Sequence, residues 1–353
     1  MKKYSIIIVV VILNVLSLVC LFGNYTFSKS LLPSVKIETI KKEESQVKKV
    51  ELVGSFMTNY RGMPFRLNDK DISLDNEEIN PQKNILGQYQ KIPVLKRPKI
   101  DFVSQTTEIG DWIIFLGNTN DNLKGKLISN LYAYNQKTEQ LFETPISDIP
   151  IFDGIFVKSN DKLYFVGTTA NKEDSSIKIL EILLEDTQMI VKTIKENLKG
   201  VDYQGFSVFQ SDSTFNVVFR NKGKFFVYRA LKDELVDLSK EISDDIYVSG
   251  DPYYYISDVS VVADKVYYKT QTELKTFDLN TKEYQTIKKL DTKQILFDDE
   301  YMFEEKDLTI TITNLKTNHI IYEGKITGDF KGYELSINNI YLNDKRVSFF
   351  PIR

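Results

Sequence analysis

The most constraining feature of the sequence is a short pattern that recurs along its length. "LKTFDLNTKEYQTI" (274–287) consists of two runs of alternating residues around a turn-forming centre, and "LYAYNQKTEQLFE" (131–143) has the same form. Alternation with a period of two is typical of strands, and Asn, Asp or Thr between two such runs favours a turn. The chain therefore repeats a β-hairpin. Its centres recur roughly every 36 to 49 residues, at Thr138, Thr187, Asp233, Thr281 and Thr317.

A second series of turns lies ahead of these hairpins. Each member is an Asp followed by a run rich in aromatic or β-branched residues, as in "DKLYFVG" (161–167). Two hairpins per period predict four strands per period, and a four-stranded unit cannot bury both of its faces alone. Because radial stacking of such units makes a β-propeller, we predict an all-β fold of that class. The second series consists of Asp111, Asp161, Asp212, Asp264, Asp299 and Asp344.

The hairpin at 274–287 also resembles the outer hairpins of known propellers. Its pattern "L-x-x-x-D-L-x-T-x-E" is similar to that of bacterial β-propeller domains of the quinoprotein-like and seven-bladed, surface-layer-like kinds, and the resemblance extends over about residues 100–353. It implies a fold and no activity. The sialidase Asp-box, the "GH…WD" pair and the quinone-type blade Trp are missing, and Trp112 is the only Trp. The matching residues are Leu274, Asp278, Leu279, Thr281 and Glu283.

The repeats predict six four-stranded blades, with seven as the alternative. Five periods fit between about 101 and 327, and "ELSINNIYLNDKRVSFF" (334–350) supplies two further strands. Two strands make no stable blade, so we expect strand-like pieces of 51–70 to complete it. Residues 51–353 would then form one propeller domain, closed by its N- and C-terminal strands. A pair of two-sheet β-sandwiches is the competing architecture.

Composition excludes several kinds of site. The chain contains one Cys, Cys20, and one His, His319, so it can form neither an intrachain disulfide nor a Cys-based zinc site. Any Ser-His-Asp triad would have to use His319. The net charge of −3 gives no electrostatic reason to expect nucleic acid. We therefore expect no metal, no cofactor and no nucleic-acid partner.

The N-terminal residues determine the predicted location. Lys2 and Lys3 precede an apolar run over 4–22 that is long enough to span a bilayer as a helix. We predict an uncleaved signal anchor over 1–23, with a cleaved signal peptide or a lipid anchor on Cys20 as alternatives. Lysines that follow the run outnumber those before it, so the positive-inside rule counted directly would place the C-terminal side in the cytoplasm. Against this, a Lys-Lys start is typical of export signals, and long domains translocate largely regardless of their charge. We expect a single-pass membrane protein with an extracytoplasmic C-terminal domain and a charged spacer over 24–50.

Three short segments are weak candidates for function. "NTNDN" (118–122) places oxygen-bearing side chains as a calcium loop would, but it lacks the Gly and Glu of such a loop. We interpret it as an ordinary polar loop. "KEDSSIK" (172–178) is interpreted as a solvated loop rather than a binding one, and His319 as a surface His rather than a catalytic base.

The strongest candidate is the loop "IYVSGDPYYYISD" (246–258), which contains turn residues and four tyrosines between two predicted blades. Tyr combines an apolar ring with a polar tip and suits contact surfaces. We predict contact with a ligand or partner there; the alternative is that the tyrosines pack an inner strand. The predicted contact residues are Tyr247, Asp251, Tyr253, Tyr254 and Tyr255.

These features favour a binding or scaffolding module over an enzyme. The predicted module is anchored in the membrane, and its partner would be a protein of an envelope, secretion or sensing assembly. The alternative is an extracytoplasmic hydrolase or lyase that uses carboxylates at the channel mouth, because propellers also carry enzymes. Two close carboxylates with shifted pKa values would favour the enzyme.

Overall fold

The computed structural model describes most of the chain from residue 33 to residue 348. The described residues are 33–57, 62–69, 72–74, 87–121, 126–169, 175–185, 187–199, 201, 206–211, 214–221, 224–238, 242, 259–290, 295–298 and 300–348. The predicted anchor over 1–23 lies outside them. Within the described ranges, no helix has the length and apolar character needed to cross a membrane.

Nearly all regular structure in these residues is β-strand. The first strands are β1 (Ser34–Lys42), β2 (Val50–Met57), β3 (Gly62–Asn68) and β4 (Ile72–Leu74), followed by a 3-10 helix (Val94–Lys96). Next come β5 (Phe102–Ile109), β6 (Trp112–Asp121), β7 (Lys126–Asn135), β8 (Gln140–Ser147), β9 (Ile151–Ser159), β10 (Lys162–Thr169), β11 (Ser176–Glu185) and β12 (Gln188–Lys199). The remainder are β13 (Phe206–Ser211), β14 (Thr214–Asn221), β15 (Lys224–Arg229), β16 (Glu234–Asp237), β17 (Val259–Val262), β18 (Lys265–Lys269), β19 (Glu273–Asp278), β20 (Tyr284–Lys289), β21 (Ile295–Asp298), β22 (Tyr301–Lys306), β23 (Thr309–Asn314), β24 (His319–Asp329), β25 (Glu334–Leu342) and β26 (Lys345–Ser348).

The described strands form six antiparallel sheets, as expected for a propeller of six blades. Sheets 1 to 4 each consist of four consecutive strands: β5–β8, β9–β12, β13–β16 and β17–β20. Sheet 5 has the order β1-β24-β23-β22-β21, and sheet 6 has the order β26-β25-β2-β3-β4. In sheet 6 the N-terminal β2 pairs with the C-terminal β25, from Val50 opposite Leu342 to Met57 opposite Glu334.

Shared hydrophobic cores join the six sheets in series. Separate clusters of buried residues lie between sheets 1 and 2, 2 and 3, 3 and 4, 4 and 5, and 5 and 6. Sheets 2 to 5 therefore bury both faces, whereas each sheet of a two-sheet sandwich buries one face against one partner. The first strands of sheets 1 to 5 also contact one another in order, from β5 through β9, β13 and β17 to β21. This arrangement is consistent with a propeller and not with a pair of sandwiches.

The recurring sequence motif is explained by side-chain capping of the turn between the third and fourth strands. The Asp278 carboxylate accepts hydrogen bonds from the backbone N–H groups of Asn280 and Thr281, at 2.8 and 3.0 Å. Asn135 and Asn314 make the same kind of bond, accepting from the backbone N–H of a Thr three residues later. Each "Asn/Asp-x-x-Thr" therefore stabilises a tight turn by a bond that its own side chain supplies.

The prediction of a charged spacer over 24–50 is wrong for its described part. Residues 34–42 form β1, which adds a fifth strand to the outside of sheet 5 by pairing with β24. Val35 and Ile37 are buried between sheets 5 and 6, while Lys36 and Glu38 are exposed. The physical reason is that successive side chains of a strand point to opposite faces. The charged residues of β1 point to solvent while the alternate apolar residues are buried, so a strand can be rich in charged residues and still pack on a core.

Sheets 3 and 4 place their turns at the same edge of the series. We call the edge that carries the turns at 110–111 and 136–139 in sheet 1, and their equivalents elsewhere, the turn edge. Arg229, at the end of β15, binds Asp264 and Asn280, which lie in the two turns at this edge of sheet 4. Ser34 pairs with Asp329, at the far end of β24 from the preceding turn. The described chain therefore enters the domain at the edge opposite the turn edge.

Candidate functional site

The site predicted at 246–258 lies outside the described residues. It therefore stays a prediction for Tyr247, Asp251, Tyr253, Tyr254 and Tyr255. The described residues instead draw attention to a different segment.

The calcium-loop candidate has a structural role at its first residue. Asn118 is buried in β6, where its Nδ2 donates to the carbonyl oxygen of Ile151 at 3.1 Å and its Oδ1 accepts from the Ser129 hydroxyl. The bond to Ile151 joins sheets 1 and 2, and the bond from Ser129 joins neighbouring strands of sheet 1. Among the described residues, no group of three or more His, Cys, Asp or Glu side chains is placed to hold a metal ion.

The other two weak candidates are surface or packing features. Lys178, the last residue of "KEDSSIK", donates from Nζ to the carbonyl oxygen of Ile146 at 2.6 Å and pairs with Glu196 at 2.8 Å. It therefore links sheet 2 to sheet 1. His319 is exposed at the start of β24, which confirms the interpretation as a surface His.

Residues 87–101, which we call the strap, cross one face of sheet 1. This is the face turned away from sheet 2. Ile92 is fully buried in a cluster with Ile113, Phe115, Tyr132 and Tyr134, to which residues of the strap and of β5 also belong. The strap therefore covers the apolar face that would otherwise remain open at this end of the series.

Two further contacts fix the path of the strap. The Tyr89 ring packs edge-on against Phe115, with 5.2 Å between ring centroids. Further along, Ile100 lies against Gly117, where an added Cβ would come within 3.1 Å of the Ile100 side chain. Glycine at this position allows the strap to approach the sheet closely.

Arg97 holds the strap in a closed loop. Its Nε donates to the carbonyl oxygen of Ile92 and its Nη2 to that of Gln90, both at 2.8 Å. The guanidinium also lies over the Tyr89 ring, 5.4 Å from its centroid, where a cation is attracted by the ring. Burial raises the pKa of Tyr89, and the nearby Arg97 charge opposes that shift.

The tip of this rigid loop presents two large apolar side chains to solvent. Val94 is 73% exposed and Leu95 is 98% exposed, although both belong to the ordered 3-10 helix. Backbone bonds from Lys96 to Pro93 at 2.8 Å and from Arg97 to Val94 at 3.3 Å close this turn. The strap therefore presents two adjacent exposed apolar side chains on a loop that Arg97 holds in place, which makes this tip a candidate contact point.

Basic residues surround the tip at the turn edge. Lys91 pairs with Glu108 at the end of β5, and Lys96 lies 3.9 Å from Glu139 in the turn after β7. Hydrogen bonds from Lys91 and Gln136 lower the pKa of Glu108, so this carboxylate stays charged at neutral pH. The ion pairs hold both flanks of the loop against sheet 1.

The prominent polar clusters elsewhere join neighbouring sheets. Lys195 of sheet 2 pairs with Asp233 of sheet 3 at 2.6 Å, and Asp233 accepts a 2.8 Å bond from the Tyr228 hydroxyl. Burial and the bond to Asp233 raise the pKa of Tyr228. Arg229 is almost fully buried and binds Glu234 at 2.7 Å as well as Asp264 of sheet 4. We interpret both clusters as structural contacts that hold neighbouring sheets together.

Two described carboxyl groups have a raised pKa. Burial raises the pKa of Asp153 on β9 and of Glu305 on β22. Asp153 lies on the first strand of sheet 2, and Glu305 lies on the second strand of sheet 5.

Sequence reasoning missed the strap because it has no periodic pattern. The usable signal is "IPVLKRPK" (92–99), in which Pro93 and Pro98 bracket an apolar pair and two basic residues. Proline on both sides argues against a central strand, so apolar residues between them have no obvious core to enter. The buried role of Ile92 could not be read from this pattern.

Comparisons with known proteins leave the family undetermined. No family model matches the chain, and no curated protein matches it. Chains of solved structures do match, and one of them is titled "AfRom2 CNH domain". It is 11% identical, the match covers 83% of this chain and 89% of that chain, and the TM-score is 0.35. A likeness this weak supports no inference about function.

Proposed function

We propose that this chain is a binding or scaffolding module: an extracytoplasmic β-propeller that the N-terminal segment anchors in the membrane. The proposal includes closure of the six sheets into a ring. The series of shared cores and the pairing of N-terminal β2 with C-terminal β25 support closure. The apolar run over 4–22 and its preceding lysines support the anchor.

The exposed tip at Val94 and Leu95 is the observation that carries the binding function. Full burial of a Leu side chain contributes about 1.5–3 kcal/mol, which corresponds to roughly 10- to 150-fold in affinity. The strap is already ordered by Arg97 and by buried Ile92, so little conformational entropy is lost when a partner covers the tip. The partner that fits is a protein with an apolar pocket.

Site-specific cross-linking tests this proposal in cells that produce the full chain. A photoreactive residue replaces Leu95 in one variant and Ile40 in the control, because Ile40 is also well exposed, at 59%, but lies on β1. We expect a discrete adduct with one protein from position 95 and none from position 40. The adduct partner, once purified, should bind Leu95→Ala at least about tenfold more weakly than the unmodified chain.

Two results would contradict the proposal. The first is an equal pattern of adducts at positions 95 and 40, which would indicate random collisions. The second is unchanged affinity of the adduct partner for Leu95→Ala, provided that the variant melts at the same temperature as the unmodified chain. Leu95 is almost fully exposed, so loss of stability should not complicate the measurement.

A further inference from the structure

The outer strands of the sheets differ greatly in length. In sheets 1, 3 and 4 the outer strands β8, β16 and β20 contain 8, 4 and 6 residues. The outer strand β12 of sheet 2 contains 12 residues, and β24 of sheet 5 contains 11. A long outer strand presents a row of backbone N–H and C=O groups that another strand can pair with. Among the described strands, none pairs with the outer edge of β12.

The protein itself shows how such an edge is covered. β1 pairs antiparallel with the outer edge of β24 over its whole length, from Ser34 opposite Asp329 to Lys42 opposite Tyr322. Its alternate residues Val35 and Ile37 enter the core beside sheet 5. The added strand therefore obtains main-chain hydrogen bonds from the edge and apolar burial from the neighbouring surface, which are the two requirements of strand addition.

Apolar side chains that an added strand could cover also lie beside β12. Leu183 and Ile190 lie directly opposite each other on β11 and β12, and each is 38% exposed. Leu235 of sheet 3 is 51% exposed and lies directly opposite Tyr228, whose ring packs in the core shared with sheet 2. Apolar side chains from two sheets thus remain partly exposed next to an uncovered long edge.

The charges beside this edge specify the occupant. Lys192 is exposed on β12, whereas Lys195 is already paired with Asp233. The acidic Glu196 of the same strand is paired with Lys178. Lys192 is therefore the charge that an added strand would meet. We propose that the outer edge of β12 binds an extended strand of a partner protein, in which apolar residues alternate with carboxylates. This inference is independent of the proposed function of the strap, because β12 and the strap lie on different sheets. Lysines can also serve to keep an edge unpaired, and the experiment separates the two roles.

The probe is a synthetic peptide of residues 33–43, the segment that contains β1, with Lys36, Lys41 and Lys42 each replaced by Glu. The matched control peptide keeps the three lysines. A second control is the Glu peptide with alternate backbone nitrogens methylated, which removes the hydrogen bonds of one edge and keeps the side chains. Fluorescence anisotropy measures binding to the full chain in mild detergent, and hydrogen exchange read by mass spectrometry locates it.

We expect the Glu peptide to bind and to slow amide exchange in 188–199. The Lys peptide should bind about threefold or more weakly, and Lys192→Glu in the protein should reduce or reverse that preference, because exposed ion pairs contribute modestly. Methylation should weaken binding by more than about tenfold. Leu95→Ala should change none of these values, so failure here and failure of the strap proposal are distinguishable.

Two results obtained with a bound peptide overturn the proposal, and so does absence of binding. One is absence of protection in 188–199 at saturating Glu peptide, including the case in which protection appears in 319–329 through displacement of β1. The other is equal binding of the methylated and unmethylated peptides. Absence of binding by the Glu peptide at millimolar concentration would also mean that the lysines keep the β12 edge unpaired.

Discussion

Replacement of Ile340 and Leu342 by Ala tests whether the two ends of the chain hold the fold together. Both side chains are buried in the core between sheets 5 and 6, at 0% and 4% exposure, and both belong to β25, the strand that pairs with β2. A buried Ile or Leu replaced by Ala costs about 2–5 kcal/mol. The two sites share one core and need not add fully, so we expect a combined loss of about 4–8 kcal/mol.

A loss of that size is comparable to the whole stability of a typical domain, which is about 5–15 kcal/mol. Urea unfolding followed by the fluorescence of Trp112, the only Trp, reports the effect at sheet 1, and hydrogen exchange in 50–57 reports it at β2. We expect both probes to show the same large shift of the midpoint. The matched control is Leu231→Ala, which removes a side chain that is 42% exposed and should cost much less. If the Trp112 midpoint does not change while β2 loses protection, sheet 6 unfolds independently and the series of sheets is not one cooperative unit.

Three further predictions concern Asp153, Arg229 and the topology of the chain. Burial raises the pKa of Asp153 above its ordinary value, so the folded state loses stability as pH rises through the folded-state pKa and the carboxyl group ionises. Asp153→Asn should therefore raise the free energy of unfolding at pH 7, and this gain should vanish below about pH 3. Arg229→Met should lower the free energy of unfolding by about 1–3 kcal/mol, because Glu234 and Asp264 are partly exposed and regain water, and Arg229→Lys should lower it less. Equal stability of Arg229→Met and the unmodified chain in urea unfolding would contradict the role of Arg229 in holding sheets 3 and 4 together. A reporter that is active only outside the cytoplasm, fused after Arg353, should be active, and activity of a cytoplasm-only reporter there would exclude the predicted topology.

The strands and turns of the repeats could be predicted because their signals are local. Thr138, Thr281 and Thr317 mark turns that an Asn or Asp three residues earlier caps with its own side chain. Such bonds depend on neighbours in sequence, so the sequence contains the whole signal. The same holds for six sets of strands with a period of two, which predicted an all-β fold of four-stranded units.

The missed elements depend on contacts that are distant in sequence. β1 contains Lys36, Glu38, Lys41 and Lys42, which suggested a solvated spacer, and only the apolar surface beside β24 gives Val35 and its neighbours a core to enter. The strap is similar, because Ile92 is buried by β6 and β7 rather than by any pattern of its own. Local propensity does not determine the conformation where tertiary contacts supply the burial.

The positions of the strap and of the chain entry together suggest how the module would be oriented. Ser34 enters at the edge opposite the turn edge, whereas Lys91 and Lys96 attach the strap to groups at the turn edge of sheet 1. A nine-residue strand such as β1 spans about 30 Å, so these two edges are separated by roughly that distance. If the preceding residues enter a membrane, as proposed, the domain would sit with its entry edge toward the bilayer and Leu95 facing away from it. Because Lys91 and Lys96 are paired with Glu108 and Glu139, the group that the tip offers is the apolar pair Val94 and Leu95. At the edge remote from the bilayer this pair would meet a protein rather than the lipids of the same membrane, in agreement with the partner proposed for the strap.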